Sequence, residues 1–81
     1  MESSPAVVLT AAQCKMARAA IDWSARDLAA KAGIHHNTVG RIERGEDVPR
    51  GTLLVVREAL EQAGVEFIAE NGGGAGVRLR K

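Results

Sequence analysis

The chain has one cysteine, two prolines, one tryptophan, one phenylalanine and no tyrosine in 81 residues. A single cysteine closes no internal disulfide, which suits a reducing compartment. A core so poor in aromatics must be built from Leu, Ile, Val, Ala and Met, and this length supports one small domain with a marginal core. No apolar run approaches the roughly 18 residues of a membrane-spanning helix, so no membrane partner is expected. Met1-Glu2-Ser3-Ser4-Pro5 lacks the basic start of a secretory signal, so a cytoplasmic location is expected. Catalytic signatures are missing as well: there is no G-x-S-x-G, no H-E-x-x-H and no phosphate-binding loop. Gly72-Gly73-Gly74 lies between two strand-like stretches, with no helix N-terminus to hold a phosphate. No enzyme activity and no cofactor are expected. His35-His36 makes a poor metal site, because adjacent helical residues point about 100° apart and Cys14 alone is too little for structural zinc.

Excess charge is also lacking, since the net value is only +1. Its distribution is uneven. From Thr10 to Gly45 there are six basic residues against three acidic ones, whereas Glu46, Asp47, Glu58, Glu61, Glu66 and Glu70 follow later. The basic charge therefore gathers in the first half of the chain.

Periodicity divides that half into helices. Thr10 is a candidate N-cap for a helix over about Ala11 to Ile21, with Ala12, Met16, Ala17, Ala20 and Ile21 as its apolar stripe. Trp23 follows as an anchor. Ser24 caps a second helix, with Asp27 as a short version of the capping-box Glu. Leu28, Ala29 and Ala32 form its apolar face, and Gly33 closes it in a positive-φ conformation. A third helix starts near His35. It buries Val39 and Ile42 and exposes His36, Asn37, Gly40, Arg41 and Arg44. Pro49 marks a fourth helix over Arg50 to Ala63, with Leu53, Val56, Leu60 and Ala63 on one face and Leu54 and Val55 widening it. Gly64 stops it. Beyond it, Val65 to Glu70 is strand-like, Asn71 to Gly76 is a turn, and Val77 to Arg80 alternates apolar and basic residues, a β-hairpin pattern. An isolated hairpin is marginal in water, so this one must dock on the helices, pair with another chain, or both.

The stretch from Trp23 to Gly45 carries the strongest signal. A short helix with an apolar back and hydrogen-bonding side chains in front suits the major groove. Ser24, Leu28-Ala29, Gly33, Thr38-Val39, Arg41-Ile42-Glu43 and Gly45 resemble the helix-turn-helix of phage repressors and Cro proteins, the xenobiotic-response-element type. The resemblance runs from about Leu9 to Gly64. It implies a mainly α, four-to-five-helix, lambda-repressor-like DNA-binding domain, here with a C-terminal β-hairpin or strand. Residues 1–8 would be a flexible arm, residues 9–64 the DNA-binding domain and residues 65–81 a β-tail.

The resemblance also assigns roles. His36, Asn37 and Arg41 fall at base-reading positions. Asn pairs bidentately with adenine and Arg with guanine, each worth roughly 1–3 kcal/mol of discrimination. Ser24, Arg26, Thr38 and Arg44 fall at phosphate-contacting positions, where helix N-termini and Arg are natural partners. Arg18 and Glu43 match a partly buried ion pair joining the first and third helices. Ala25 departs from the family, which usually has a phosphate-binding Gln there. One such domain covers about half an operator, so a homodimer on a roughly palindromic duplex site is expected, regulating transcription as a repressor. Phe67, Ile68, Val77 and Leu79 of the tail are the expected dimerisation residues. Two other readings are an antitoxin-like DNA binder with a toxin or regulator as protein partner, and an interaction adaptor that does not bind DNA. DNA binding would associate the protein with the nucleoid.

Overall fold

Thr10 begins the first helix with a reciprocal cap: its hydroxyl accepts from the Gln13 N–H at 3.0 Å, and Gln13 Oε1 accepts from the Thr10 N–H at 3.1 Å. The structure, a computed structural model, describes residues 7–69 and 73–80. It contains α1 (Ala11–Ala20), α2 (Ala25–Ala32), α3 (His36–Glu43) and α4 (Arg50–Gln62), followed by β1 (Val65–Ile68) and β2 (Gly76–Leu79). The expected mainly α fold with a C-terminal hairpin is the fold observed.

The same capping chemistry opens α2. Ser24 Oγ accepts from the Asp27 N–H, and the Asp27 carboxylate accepts from the Ser24 N–H. That acceptance, and the Ser24 hydroxyl, hold the Asp27 carboxyl below its ordinary value. Gly33 ends α2 at φ 72°, a left-handed conformation in which a Cβ would be strained. Asp22 takes φ 59° in the tight connection between α1 and α2.

The helices close around Cys14, Ala17, Leu28, Ala29, Val39, Ile42, Val56 and Leu60. Val65 brings the first strand into the same core. Two expected faces differ from those observed. In α1 the buried residues are Gln13, Cys14 and Ala17, while Ala12, Met16 and Ala20 are exposed. The inward stripe includes a polar residue because Gln13 satisfies backbone groups of the hairpin. Its Nε2 donates to the carbonyls of Ile68 at 3.3 Å and Gly76 at 3.2 Å. In α4, Leu54 and Val55 are 44% and 39% exposed rather than buried. Each lies about 130° round the helix from the stripe of Leu53, Val56 and Leu60.

The two strands pair antiparallel in the register Val65–Leu79, Glu66–Arg78, Phe67–Val77 and Ile68–Gly76. Of the predicted turn, residues 71 and 72 lie outside the described residues. The hairpin docks on its own helices. Arg80 closes it onto the end of α4, its N–H donating to the Gly64 carbonyl at 2.7 Å and its Nη2 to the Glu61 carbonyl at 2.9 Å. Arg57 completes the joint: it pairs with Glu61, donates to the Val8 carbonyl at 2.9 Å and lies 5.0 Å over the Phe67 ring. Val8 and Leu9 are consequently core residues. The expected flexible arm of residues 1–8 thus includes one buried position, Val8, and its residues 1–6 lie outside the described residues.

Candidate nucleic-acid interface

The orientation of α3 is fixed from behind. Val39 is fully buried and Ile42 nearly so, against Leu28 and Ala29 of α2. A second restraint is electrostatic. Arg18 of α1 makes a fork with Glu43, Nε to Oε2 at 2.7 Å and Nη2 to Oε1 at 2.8 Å, and its Nη1 donates to the Trp23 carbonyl at 3.0 Å. The two side chains are 23% and 12% accessible, so the fork is mostly shielded from water. One guanidinium thereby ties α1, the turn before α2, and the end of α3 together.

Cys14 lies beneath this fork. Burial, reinforced by its hydrogen bond and proximity to Glu43, pushes the thiol up to about 12 from an ordinary 9.0. Burial raises the Glu43 carboxyl too, but the Arg18 fork, the Cys14 thiol and the charges of Arg18 and Lys15 outweigh it and hold Glu43 below its ordinary value. Cys14 is therefore a protonated core residue. Among the described residues no three His, Cys, Asp or Glu side chains gather as a metal site.

The front of α3 carries the expected reading residues. Asn37, Arg41 and Arg44 are exposed opposite the buried stripe, and His36 and Thr38 flank them half-buried. His35 is the N-cap rather than a helical residue. Its Nδ1 accepts from the Asn37 N–H at 3.0 Å, which satisfies one of the free amides at the helix start. The His35 and His36 rings stack 4.5 Å apart. Partial burial, and then the charge of Arg26, hold the His36 imidazole below its ordinary value, so it is neutral near pH 7 and can both donate and accept. α2 packs directly against α3. Ser24 and Arg26 are exposed at the start of α2, and Ala25 is half-buried against the core.

An apolar-backed helix of eight residues, entered by a glycine turn from a capped helix and backed by an Arg–Glu fork, is the geometry of a groove-reading unit. A family model described as helix-turn-helix, of the Cro and repressor type, matches residues 15–55. The chain belongs to that helix-turn-helix family. The match begins inside α1 and ends within the second turn of α4, so it contains α2, Gly33 and α3 complete. Members of this xenobiotic-response-element-type family are DNA-binding transcription regulators. No curated protein matches the chain. No helix among the described residues is long and apolar enough to cross a membrane.

The tail residues divide. Phe67 and Val77 turn toward the chain's own helices, whereas Ile68 and Leu79 are 37% and 50% exposed. Three further residues matter that sequence reasoning did not single out. Gln13 and Arg57 hold the hairpin in place. Glu46, in the loop after α3, accepts from Arg41 Nε at 3.3 Å and from Arg44 Nε at 2.8 Å. The signal for Gln13 was its position three after Thr10, and for Arg57 its spacing of four from Glu61. Nothing in the helical period marks Glu46, because it contacts α3 from outside the helix.

Proposed function

We propose that this helix-turn-helix chain is a dimeric, sequence-specific repressor that reads a roughly palindromic operator with α3. The observation that supports the reading is the front of that helix: Asn37 and Arg41 stand exposed opposite a buried Val39–Ile42 stripe, with neutral His36 beside them. Asn37 and Arg41 have the donor and acceptor patterns for adenine and guanine edges, and His36 adds a donor or an acceptor. In this reading Arg26, Arg44, Thr38 and the amides at the start of α2 near Ser24 meet the flanking phosphates. With Ala25 in place of Gln, the phosphate grip of α2 rests on Arg26 and the backbone amides.

Dimerisation is assigned to the hairpin, through Ile68 and Leu79; Phe67 and Val77 support those two from within the chain. A dimer places two copies of α3 about 34 Å apart on one face of the duplex.

Salt titration on duplex DNA tests the reading. Several phosphate contacts give a steep fall of log affinity against log salt. Wild-type protein is expected to show that slope. Arg41→Ala and Asn37→Ala are expected to lose roughly 1–3 kcal/mol on a selected site. Weak, salt-insensitive binding would instead support the adaptor reading. The exposed Ile68 and Leu79 favour one second reading, the antitoxin-like binder: a wild-type chain that binds DNA but stays monomeric leaves them for a different partner chain.

A further inference from the structure

The arginines on the front of α3 are not free in the unbound protein. Both carboxylate oxygens of Glu46 are occupied, Oε1 by Arg41 Nε and Oε2 by Arg44 Nε. Arg41 is held a second time, its Nη2 donating to the Asp47 carbonyl at 3.1 Å. Arg44 lies across the middle of the helix: a Cβ on Gly40 would meet its Nη1 at 3.2 Å. Gly40 thus leaves room for Arg44. The central front of α3 is covered by the chain's own guanidinium, pinned there by the chain's own carboxylate.

We propose that Glu46 is an internal competitor for DNA, pairing the base-reading Arg41 and the phosphate-contacting Arg44 in the free protein and lowering the affinity of α3 for any duplex. The inference rests on α3 being the reading helix. A carboxylate presents two oxygens to guanidinium groups much as a phosphate does. DNA must take both arginines from it and must then accommodate a negative charge beside the backbone. The three side chains are 46–61% exposed, so the contacts are weak enough to exchange. With Glu46, the cluster brings one net positive charge to DNA instead of two.

The test compares wild type, Glu46→Gln and Glu58→Gln as full chains. Glu58 is an exposed carboxylate on α4, so its loss reports the general effect of one charge. Binding to a short duplex of mixed sequence is followed by fluorescence anisotropy against salt. One extra phosphate partner steepens the slope by about 0.9, equivalent to about eightfold tighter binding at about 0.1 M salt with convergence near 1 M. Glu46→Gln is expected to gain that amount and Glu58→Gln much less. Equal gains in the two variants, or no gain in Glu46→Gln, overturn the proposal.

A second readout needs no DNA. In the free protein, the Nε–H protons of Arg41 and Arg44 should exchange with water several-fold faster in Glu46→Ala than in wild type. Equal exchange removes the pairing and the proposal with it. Slow exchange in wild type, with no DNA binding by any variant, overturns the DNA-reading of α3, and this inference falls with it.

Discussion

One guanidinium, that of Arg18, satisfies Glu43 and the Trp23 carbonyl together. Arg18→Met strands a mostly shielded carboxylate, and Glu43→Gln strands the guanidinium. Each should lower stability by about 3 kcal/mol, the low end for a buried pair because some water reaches both groups. In the double mutant the losses should fall well short of additive in urea unfolding. Acid gives an independent check. Glu43 is held below its ordinary value when folded, so the unfolded chain binds the proton more readily. Its contribution is present above about pH 5 and is lost as pH falls through the folded value. Asp27 and Glu46 are shifted the same way and add to the acid slope. A Glu43→Gln variant should lose less stability between about pH 5 and 3 than wild type. At the alkaline end Cys14 acts with the opposite sense. Its folded value is raised to about 12, so its contribution is full below 9.0 and is lost as pH rises toward the folded value. Each pH unit in that window should cost about 1.4 kcal/mol, and Cys14→Ala should remove this slope from an alkaline unfolding series.

At the level of elements, the hairpin depends on a residue that hydropathy alone places on the surface. Gln13 is 5% exposed and donates to one carbonyl of each strand. Gln13→Ala should cost about 1–3 kcal/mol and selectively lower hydrogen-exchange protection at 65–68 and 76–79, with α2 and α3 little changed. Uniform loss of protection would contradict a local role. Local signals made most elements legible in the sequence. Thr10, Ser24 and Gly33 mark helix ends through their own caps, and Val39 and Ile42 mark the buried side of α3 by spacing alone. The interior of α1 was not legible, because a buried Gln depends on strand carbonyls more than fifty residues away. Leu54 and Val55 were misplaced because an apolar side chain does not itself declare which way a helix is turned. The site was legible as residue types on a helix front. The pairing of Arg41 and Arg44 through Glu46 was not, since it depends on the path of the loop beyond the helix.

For the whole molecule, the hairpin completes the core and, in the proposed dimer, also joins two copies. Val65 is 1% exposed and belongs to the core, so removing residues 65–81 would damage the fold as well as any interface. Surface charges separate the two roles. Ile68→Lys and Leu79→Lys should leave the unfolding midpoint of the isolated chain nearly unchanged and convert a dimer to monomers in sedimentation. Affinity for a two-half-site duplex should fall much more than affinity for a single half-site. Dimers that survive both substitutions would remove the hairpin from the interface.

The central claim is that α3 reads base sequence, and selection from a pool of random duplexes tests it most directly. The full-length chain and its Arg41→Ala variant are each taken through the same rounds. The account predicts an inverted repeat from the wild type, with half-sites about one helical turn apart, and loss of that repeat with Arg41→Ala. No enrichment by the wild type, or the same enriched sequence from both proteins, would contradict it.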